Sequence, residues 1–519
     1  MATDATGDER PTYDRFLEKV RRIENLAAGA SMLRWDQEVK MPDEGIEARS
    51  QQLSTLSAVI HEEFTDEEMG DLLDELEESD LTPEERAVVR EIRRQYDRKT
   101  RVPTELVEEI SRTASEALPE WKEAKAEDDF SIFAPVLEEL LDLKREYAEQ
   151  IDPDADPYAV LFADYEPYLD LEVAEEVLGR LREELVPLID EIAESGEAQR
   201  ASGSRTQSDD DAGLATDAFA GEFDENVQEE LARDALDILG YDWDRGRLDT
   251  APHPFSIGNQ FDARVTTRFD AADPLGGLTS TIHEFGHASY TLGLPDDQYG
   301  TPLGDARDLT VHESQSRLWE NQVGRSRAFW ELFLPRFRKR FPQTADVSVE
   351  EAYEAANQVY DDNPIRVEAD ELTYHMHIVL RFEIERELIE GELDVEDVPE
   401  VWNAKMEEYL GIRPETDAEG ALQDIHWAHG SFGYFPTYTL GSVLAAQLYA
   451  SADREIDDLE GRIREGEFGP LRDWLRENVH RHGCRYTTPE LIEEATGEAF
   501  SADRFLEYVD EKYGELYDL

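Results

Sequence analysis

The chain has 519 residues, of which 40% are hydrophobic, and its 51 basic against 123 acidic side chains give a net charge of −72. Such a field repels nucleic acid and anionic membranes, so neither is expected as a partner, and the hydrophobic content excludes the disorder that high net charge otherwise brings. Cys484 is the only cysteine, no run of 18 apolar residues occurs, and the acidic start lacks a basic-then-apolar leader, so a cytoplasmic protein without disulfides is expected.

Only nine of the basic residues are lysine, and the carboxylates are spread along the whole chain. A dispersed acidic, lysine-poor surface stays hydrated in concentrated salt, where screening removes its self-repulsion. The composition therefore predicts a halophilic source that accumulates salt internally.

In chain order, apolar and charged residues alternate at helical spacing over 12–30 and 46–62, with Pro42 to Gly45 as the break. Helices continue over 65–150, punctuated by Pro83, Pro103 and Pro119, and again over 171–196 and 225–240. Between the last two, Gly203 to Gly213 is the most polar stretch and reads as an exposed acidic loop. The texture changes at 253–270, where β-branched and aromatic residues alternate around a turn and predict a strand pair. Helices resume at 278 and run to the C-terminus.

The first of these carries His283-Glu284-Phe285-Gly286-His287, an HExxH pattern. Two histidines four residues apart on a helix project from one face, so both imidazoles can reach one Zn²⁺. Glu284 lies at the edge of that face, where it can deprotonate a metal-bound water without being a ligand. Thr279 or Ser280 is the expected cap of this helix, and Gly293 with Pro295 the expected stop. The longer metzincin pattern is excluded, because Tyr290 and Gly293 stand where it needs a glycine and a histidine. A third ligand must come from further along. Asp296, Asp297, Asp305, Asp308, His312, Glu313 and Glu320 are the candidates, and a helix-like run from Val311 to Asn321 favours Glu313 or Glu320, which spacing leaves close.

Six ordered segments now carry a resemblance. They are His253-Pro254-Phe255, Asp262-Ala263-Arg264-Val265-Thr266, His283 to His287, His312-Glu313-Ser314-Gln315, Ile365-Arg366-Val367-Glu368-Ala369-Asp370, and Gly420-Ala421-Leu422-Gln423-Asp424-Ile425-His426-Trp427. With Trp35 to Pro42, they make the chain similar over nearly its full length to the thermostable carboxypeptidase Taq family of zinc metallocarboxypeptidases. The resemblance implies that Glu313 is the third ligand, and on that assignment removing Glu320 should leave the metal bound. It implies a mainly α fold, a neurolysin-like helical saddle with a deep substrate groove and a small β-sheet beside the zinc helix, usually as a homodimer. It also implies release of single amino acids from peptide C-termini with broad specificity, supported by zinc or cobalt. A related oligopeptidase that cuts internally or releases dipeptides is the alternative. Residues 1–519 are expected to form one domain, with 12–75 as a helical groove lid and 253–440 as the catalytic core.

A carboxypeptidase must hold a free α-carboxylate, which in so acidic a protein calls for a local cation. Arg366 is the first candidate, because a guanidinium offers a bidentate fork, and Arg264, oriented by Asp262, is the second. His426, Tyr434 and Tyr438 fall in an aromatic, charge-poor segment and are candidate oxyanion donors, while His253 could line the cleft. His375 and His377 point apart at helical spacing and are left aside.

Overall fold

A 3.6-residue apolar period runs through most of the chain, and helix follows from it. The computed structural model describes residues 11–201, 214–215, 217–360 and 362–519; the expected loop 203–213 lies outside the described residues. The first helices are α1 (Pro11–Val39), α2 (Ile46–Phe64), α3 (Glu67–Glu77) and α4 (Pro83–Arg101). α4 starts on a capping box in which Thr82 and Glu85 satisfy each other's backbone N–H. α5 (Thr104–Glu127) and α6 (Phe130–Ile151) pack along each other, followed by α7 (Pro157–Phe162), α8 (Leu171–Ala201) and α9 (Glu225–Leu239). Pro83 and Pro103 stand at helix starts as expected, but Pro119 lies inside α5 and does not end it. Its missing N–H costs about 3 kcal/mol, which the burial of Leu106, Ala117 and Ala124 along the same helix offsets.

The strand pair is present as β2 (Ser256–Asn259) and β3 (Asp262–Thr267), antiparallel with Ile257 opposite Arg264. A further strand, β1 (Gly246–Thr250), joins the other edge of β3 in parallel, pairing Leu248 with Val265. It carries a single buried apolar residue, too weak a pattern to read from sequence. His253 precedes the hairpin, exposed in a bend instead of on a strand.

Next comes α10 (Pro274–Gly293), packed on β2 and β3. Asp273 caps it by accepting from Gly276 N at 2.9 Å, with Pro274 at the first helical position, so the helix starts earlier than the expected Thr279 or Ser280. Thr279 instead bonds back to the Leu275 carbonyl within the helix. The expected stop at Gly293 holds. α11 (Leu309–Arg317) follows and runs directly into a π-helical segment, Leu318–Gly324. The remainder is helical: α12 (Arg327–Arg340), α13 (Val349–Asn357), α14 (Tyr374–Glu390), α15 (Val398–Leu410), α16 (Pro436–Glu455), then α17 (Leu459–Glu465), α18 (Gly469–Asn478), α19 (Thr488–Thr496) and α20 (Asp503–Tyr517). No helix among the described residues is long and apolar enough to cross a membrane.

Two large hydrophobic cores result. One joins α5, α6, α8, α14, α15 and α20; the other joins α9, the sheet, α10, α12 and α18. α16 belongs to both, giving Leu440, Val443 and Ala446 to the first and Leu444, Ala445 and Leu448 to the second. A smaller cluster holds α1, α3 and α4 together through Phe16, Val20, Met69, Leu73 and Val88.

One half-buried carboxyl opposes this packing. Burial and the facing Glu24 carboxylate on α1 push Asp305 up to about 8. An unfolded aspartate titrates near 4, so the folded state binds an extra proton between about 4 and 8, and this group's contribution falls as pH rises through that window. Asp305→Asn should therefore melt with wild type near pH 4 and at increasingly higher temperature than wild type towards pH 8. A melting-temperature difference that does not grow with pH would refute the assignment.

Candidate active site

Helical spacing on α10 sets the first two ligands. The His283 and His287 rings lie 4.9 Å apart between centroids. Glu313, on α11, brings Oε2 to 3.8 Å from His283 Nε2 and 3.5 Å from His287 Nε2. Among the described residues, these three form the one group whose ligand atoms could hold a metal, all within 4.8 Å of one another. Ligand atoms about 2.0–2.1 Å from a tetrahedral zinc stand roughly 3.3 Å apart, so the trio has nearly the spacing the ion requires. Two imidazoles and a carboxylate are also the donor set of a catalytic zinc site that leaves a fourth position open. The residues fit the metal.

The approach of α11 to α10 depends on Gly286, where a Cβ would come within 2.5 Å of the Gln315 carbonyl oxygen and of Ser316 Cα. On its other side α11 meets α16 at Gly441, where a Cβ would stand 2.5 Å from Glu313 Cβ. Asp308 caps α11. The other proposed third ligands are elsewhere engaged: Asp296 pairs with Arg245, and Asp305 faces Glu24. His312 lies flat on His287, with ring centroids 4.2 Å apart.

Glu284 is buried with Oε2 free of any hydrogen-bond partner among the described residues. Burial pushes its carboxyl above the usual range against the pull of both histidines. Burial acts the same way on Glu313, but Arg317 and His283 outweigh it and hold Glu313 ionised, well below the usual carboxylate range. Arg317 Nε donates to Glu313 Oε1 at 2.8 Å, and its Nη1 donates to Glu320 Oε2 at 3.2 Å. Glu320 is thus outside the ligand trio, 2.9 Å from His283 Nδ1.

The facing wall comes from the 366–381 and 424–438 segments. Arg366 is 6% exposed; its Nε and Nη2 engage Asp424, with Nη2 at 2.7 Å from Oδ1, and its Nη1 donates to the Tyr374 hydroxyl at 3.0 Å. Three of its five N–H donors are used, and two have no partner among the described residues. Asp424 also accepts from Arg381 at 2.7 Å, so two cations share one anion and the group carries a net +1. The Tyr374 ring contacts both Arg366 and Arg317, whose guanidinium carbons are 5.8 and 4.8 Å from its centroid, linking this segment to the ligand helix. Burial lowers His426 to about 4, leaving it neutral near pH 7. The Tyr438 hydroxyl is 3.5 Å from His426 Nε2, and the Tyr434 and Tyr438 rings lie 5.2 Å apart.

Two other expectations stand apart from this cluster. Arg264 is held by Asp262 at 2.6 Å and stacks 4.2 Å from the Trp35 ring of α1, so its charge is already matched one to one. His253 remains in its exposed bend. His375 and His377 are buried, and His375 bonds Thr439 at 3.1 Å. Sequence reasoning missed Arg317 and the pairing of Arg366 with Asp424. A Glu–Arg pair at i, i+4 on a helix was the available signal for the first; the second joins residues 58 apart in sequence and left no local signal.

Residues 15–513 match the family model described as carboxypeptidase Taq (M32) metallopeptidase. The chain is 40% identical to thermostable carboxypeptidase 1 of Thermus thermophilus, covering 97% of this chain and 99% of that protein. It is 36% identical to carboxypeptidase 1 of Bacillus subtilis, covering 98% and 99%. Among solved structures, the M32 carboxypeptidase of Deinococcus radiodurans superposes with a TM-score of 0.91 at 39% identity, over 98% of this chain and all of that one.

Proposed function

The chain belongs to the carboxypeptidase Taq (M32) metallopeptidase family, and on that premise we propose that it releases single residues from peptide C-termini using zinc held by His283, His287 and Glu313. Membership makes it a metallocarboxypeptidase acting on peptides. The observation that carries the finer reading is the convergence of the three ligand atoms beside the unpartnered carboxylate oxygen of Glu284. Bound there, zinc supplies a Lewis acid that acidifies a water and polarises the scissile carbonyl. Glu284 takes the proton from that water and hands it to the leaving amine, a task suited to a carboxyl whose burial makes it a stronger base than an exposed one. Tyr434, Tyr438 and neutral His426 are the donors proposed for the developing oxyanion.

Arg366 anchors the substrate carboxylate in this reading. Its support is the net +1 of the Arg366–Asp424–Arg381 group, which an incoming carboxylate neutralises, and the two N–H donors without a partner among the described residues. Arg264, already matched by Asp262, is the weaker candidate, and His253 has no assigned contact to the trio. Cobalt is an alternative ion. The helices over 12–75 are proposed as a lid on a single domain with 253–440 as its catalytic core, and a homodimer in a salt-rich cytoplasm as the working form. The resemblance supports the dimer; the −72 charge and the scarcity of lysine support the salt.

Incubating the purified protein in molar salt with peptides bearing free or amidated C-termini, and weighing the products, tests the reading. Single-residue loss from free acids is expected; internal cuts or dipeptide release would replace it with an oligopeptidase. Glu284→Gln should retain the metal and lose about 10²–10⁴-fold in turnover, whereas loss of metal in step with activity would contradict the base role. Arg366→Ala should erase the preference for a free acid over its amide, at a cost of about 2–5 kcal/mol in kcat/KM. An undiminished preference would move the anchor to another cation. Salt dependence is a separate expectation: the melting temperature and activity should fall in dilute buffer, because the Debye length grows from about 3 Å at 1 M to about 10 Å at 0.1 M. Equal stability at both concentrations would remove the halophilic reading.

A further inference from the structure

The π-helical segment Leu318–Gly324 departs from α-geometry directly after the helix that carries Glu313. Such turns are found mostly where a functional side chain is carried. The side chain placed there is Glu320, 7% exposed, and its carboxylate lies against three nitrogens: His283 Nδ1 at 2.9 Å, and the donors Arg317 Nη1 and Arg325 Nη2, each at 3.2 Å.

We propose that Glu320 is a positioning residue for the metal centre, holding His283 in the Nδ1–H form so that Nε2 is its ligand atom. Both carboxylate oxygens accept from arginines, Oε2 from Arg317 and Oε1 from Arg325, so towards the imidazole the group serves as an acceptor and the proton sits on Nδ1. The ring is thereby turned with Nε2 towards Glu313 Oε2. Arg317 ties the arrangement together, since it grips Glu313 by Oε1 and leaves Oε2 to the trio. His287 lacks an equivalent: its Nδ1 has no hydrogen-bond partner among the described residues. The ring fixed by a carboxylate is that of His283 alone within the trio, so ligand geometry depends on Glu320 more than on any partner of His287. This reverses the expectation from sequence that removing Glu320 would leave the metal bound.

The inference rests on the zinc reading above, and its test keeps the two apart. Zinc affinity is measured by competition with a chelator for wild type, Glu320→Gln, Glu320→Ala and Arg325→Gln. Partners of this kind typically carry 10–100-fold in metal affinity, and that loss is expected for Glu320→Ala, whereas Glu320→Gln, whose amide oxygen can still accept from Nδ1–H, should retain most of the affinity. Arg325→Gln, which removes a donor from the other carboxylate oxygen without touching His283, should stay within about threefold of wild type, because affinity here follows orientation of the ligand. Wild-type affinity in Glu320→Ala would overturn the proposal, and a loss in Glu320→Gln or Arg325→Gln equal to that in Glu320→Ala would overturn it in favour of simple charge balance. Wild type itself gives a reading free of any folding defect. In the zinc-loaded protein, ¹⁵N-histidine spectra should show His283 bound through Nε2 with a slowly exchanging Nδ1 proton; binding through Nδ1 overturns the proposal. A wild-type protein that takes up no zinc would instead overturn the metal reading.

Discussion

The site depends on two places where helix backbones touch. α11 is held between α10 and α16, and at each crossing the partner helix contributes a glycine, Gly286 on one side and Gly441 on the other. Any larger residue would push α11 outward, and even a displacement of an ångström is large against the narrow tolerance of a metal–ligand bond. The glycine inside the HExxH pattern is therefore a packing requirement of the third ligand, not of the two histidines beside it. Interiors are close-packed, so these contacts transmit position instead of absorbing it.

Charge placement follows a second constraint. In a molecule of −72, acids are at hand for local cations, and the site shares the charges unequally. Around the ligands, Arg317 and Arg325 divide themselves between Glu313 and Glu320, so both carboxylates stay ionised despite burial. In the neighbouring group the ratio is inverted, with Arg366 and Arg381 on one Asp424. Tyr374 touches both groups, with Arg317 4.8 Å from its ring centroid and Arg366 donating to its hydroxyl.

What could be read from sequence was whatever a single helix or hairpin encodes. The metal helix, its stop at Gly293 and the β2–β3 hairpin were legible because period and turn residues lie within a few positions. The helix start was also written there, as Asp273–Pro274, but the preceding strand pattern obscured it. Glu313 against Glu320 could not be decided by spacing, since residues seven apart on a helix lie nearly on one face. Only the crossing at Gly286 and Gly441 separates ligand from partner, and that is tertiary information. β1 was illegible for another reason: it joins the sheet through backbone hydrogen bonds with one buried side chain.

Because α16 lends one set of side chains to each large core, neither half of the molecule has a complete interior without it. Pulling α16 away would open both cores at once, so the two halves have no independent route to unfolding. The seam between them, beside the candidate metal centre, is consequently shared by both cores instead of forming a hinge. Amide protons in the middle of α16 should exchange with solvent only when the whole chain unfolds. An enzyme built this way can let its outer helices move while its metal centre stays as rigid as the global fold.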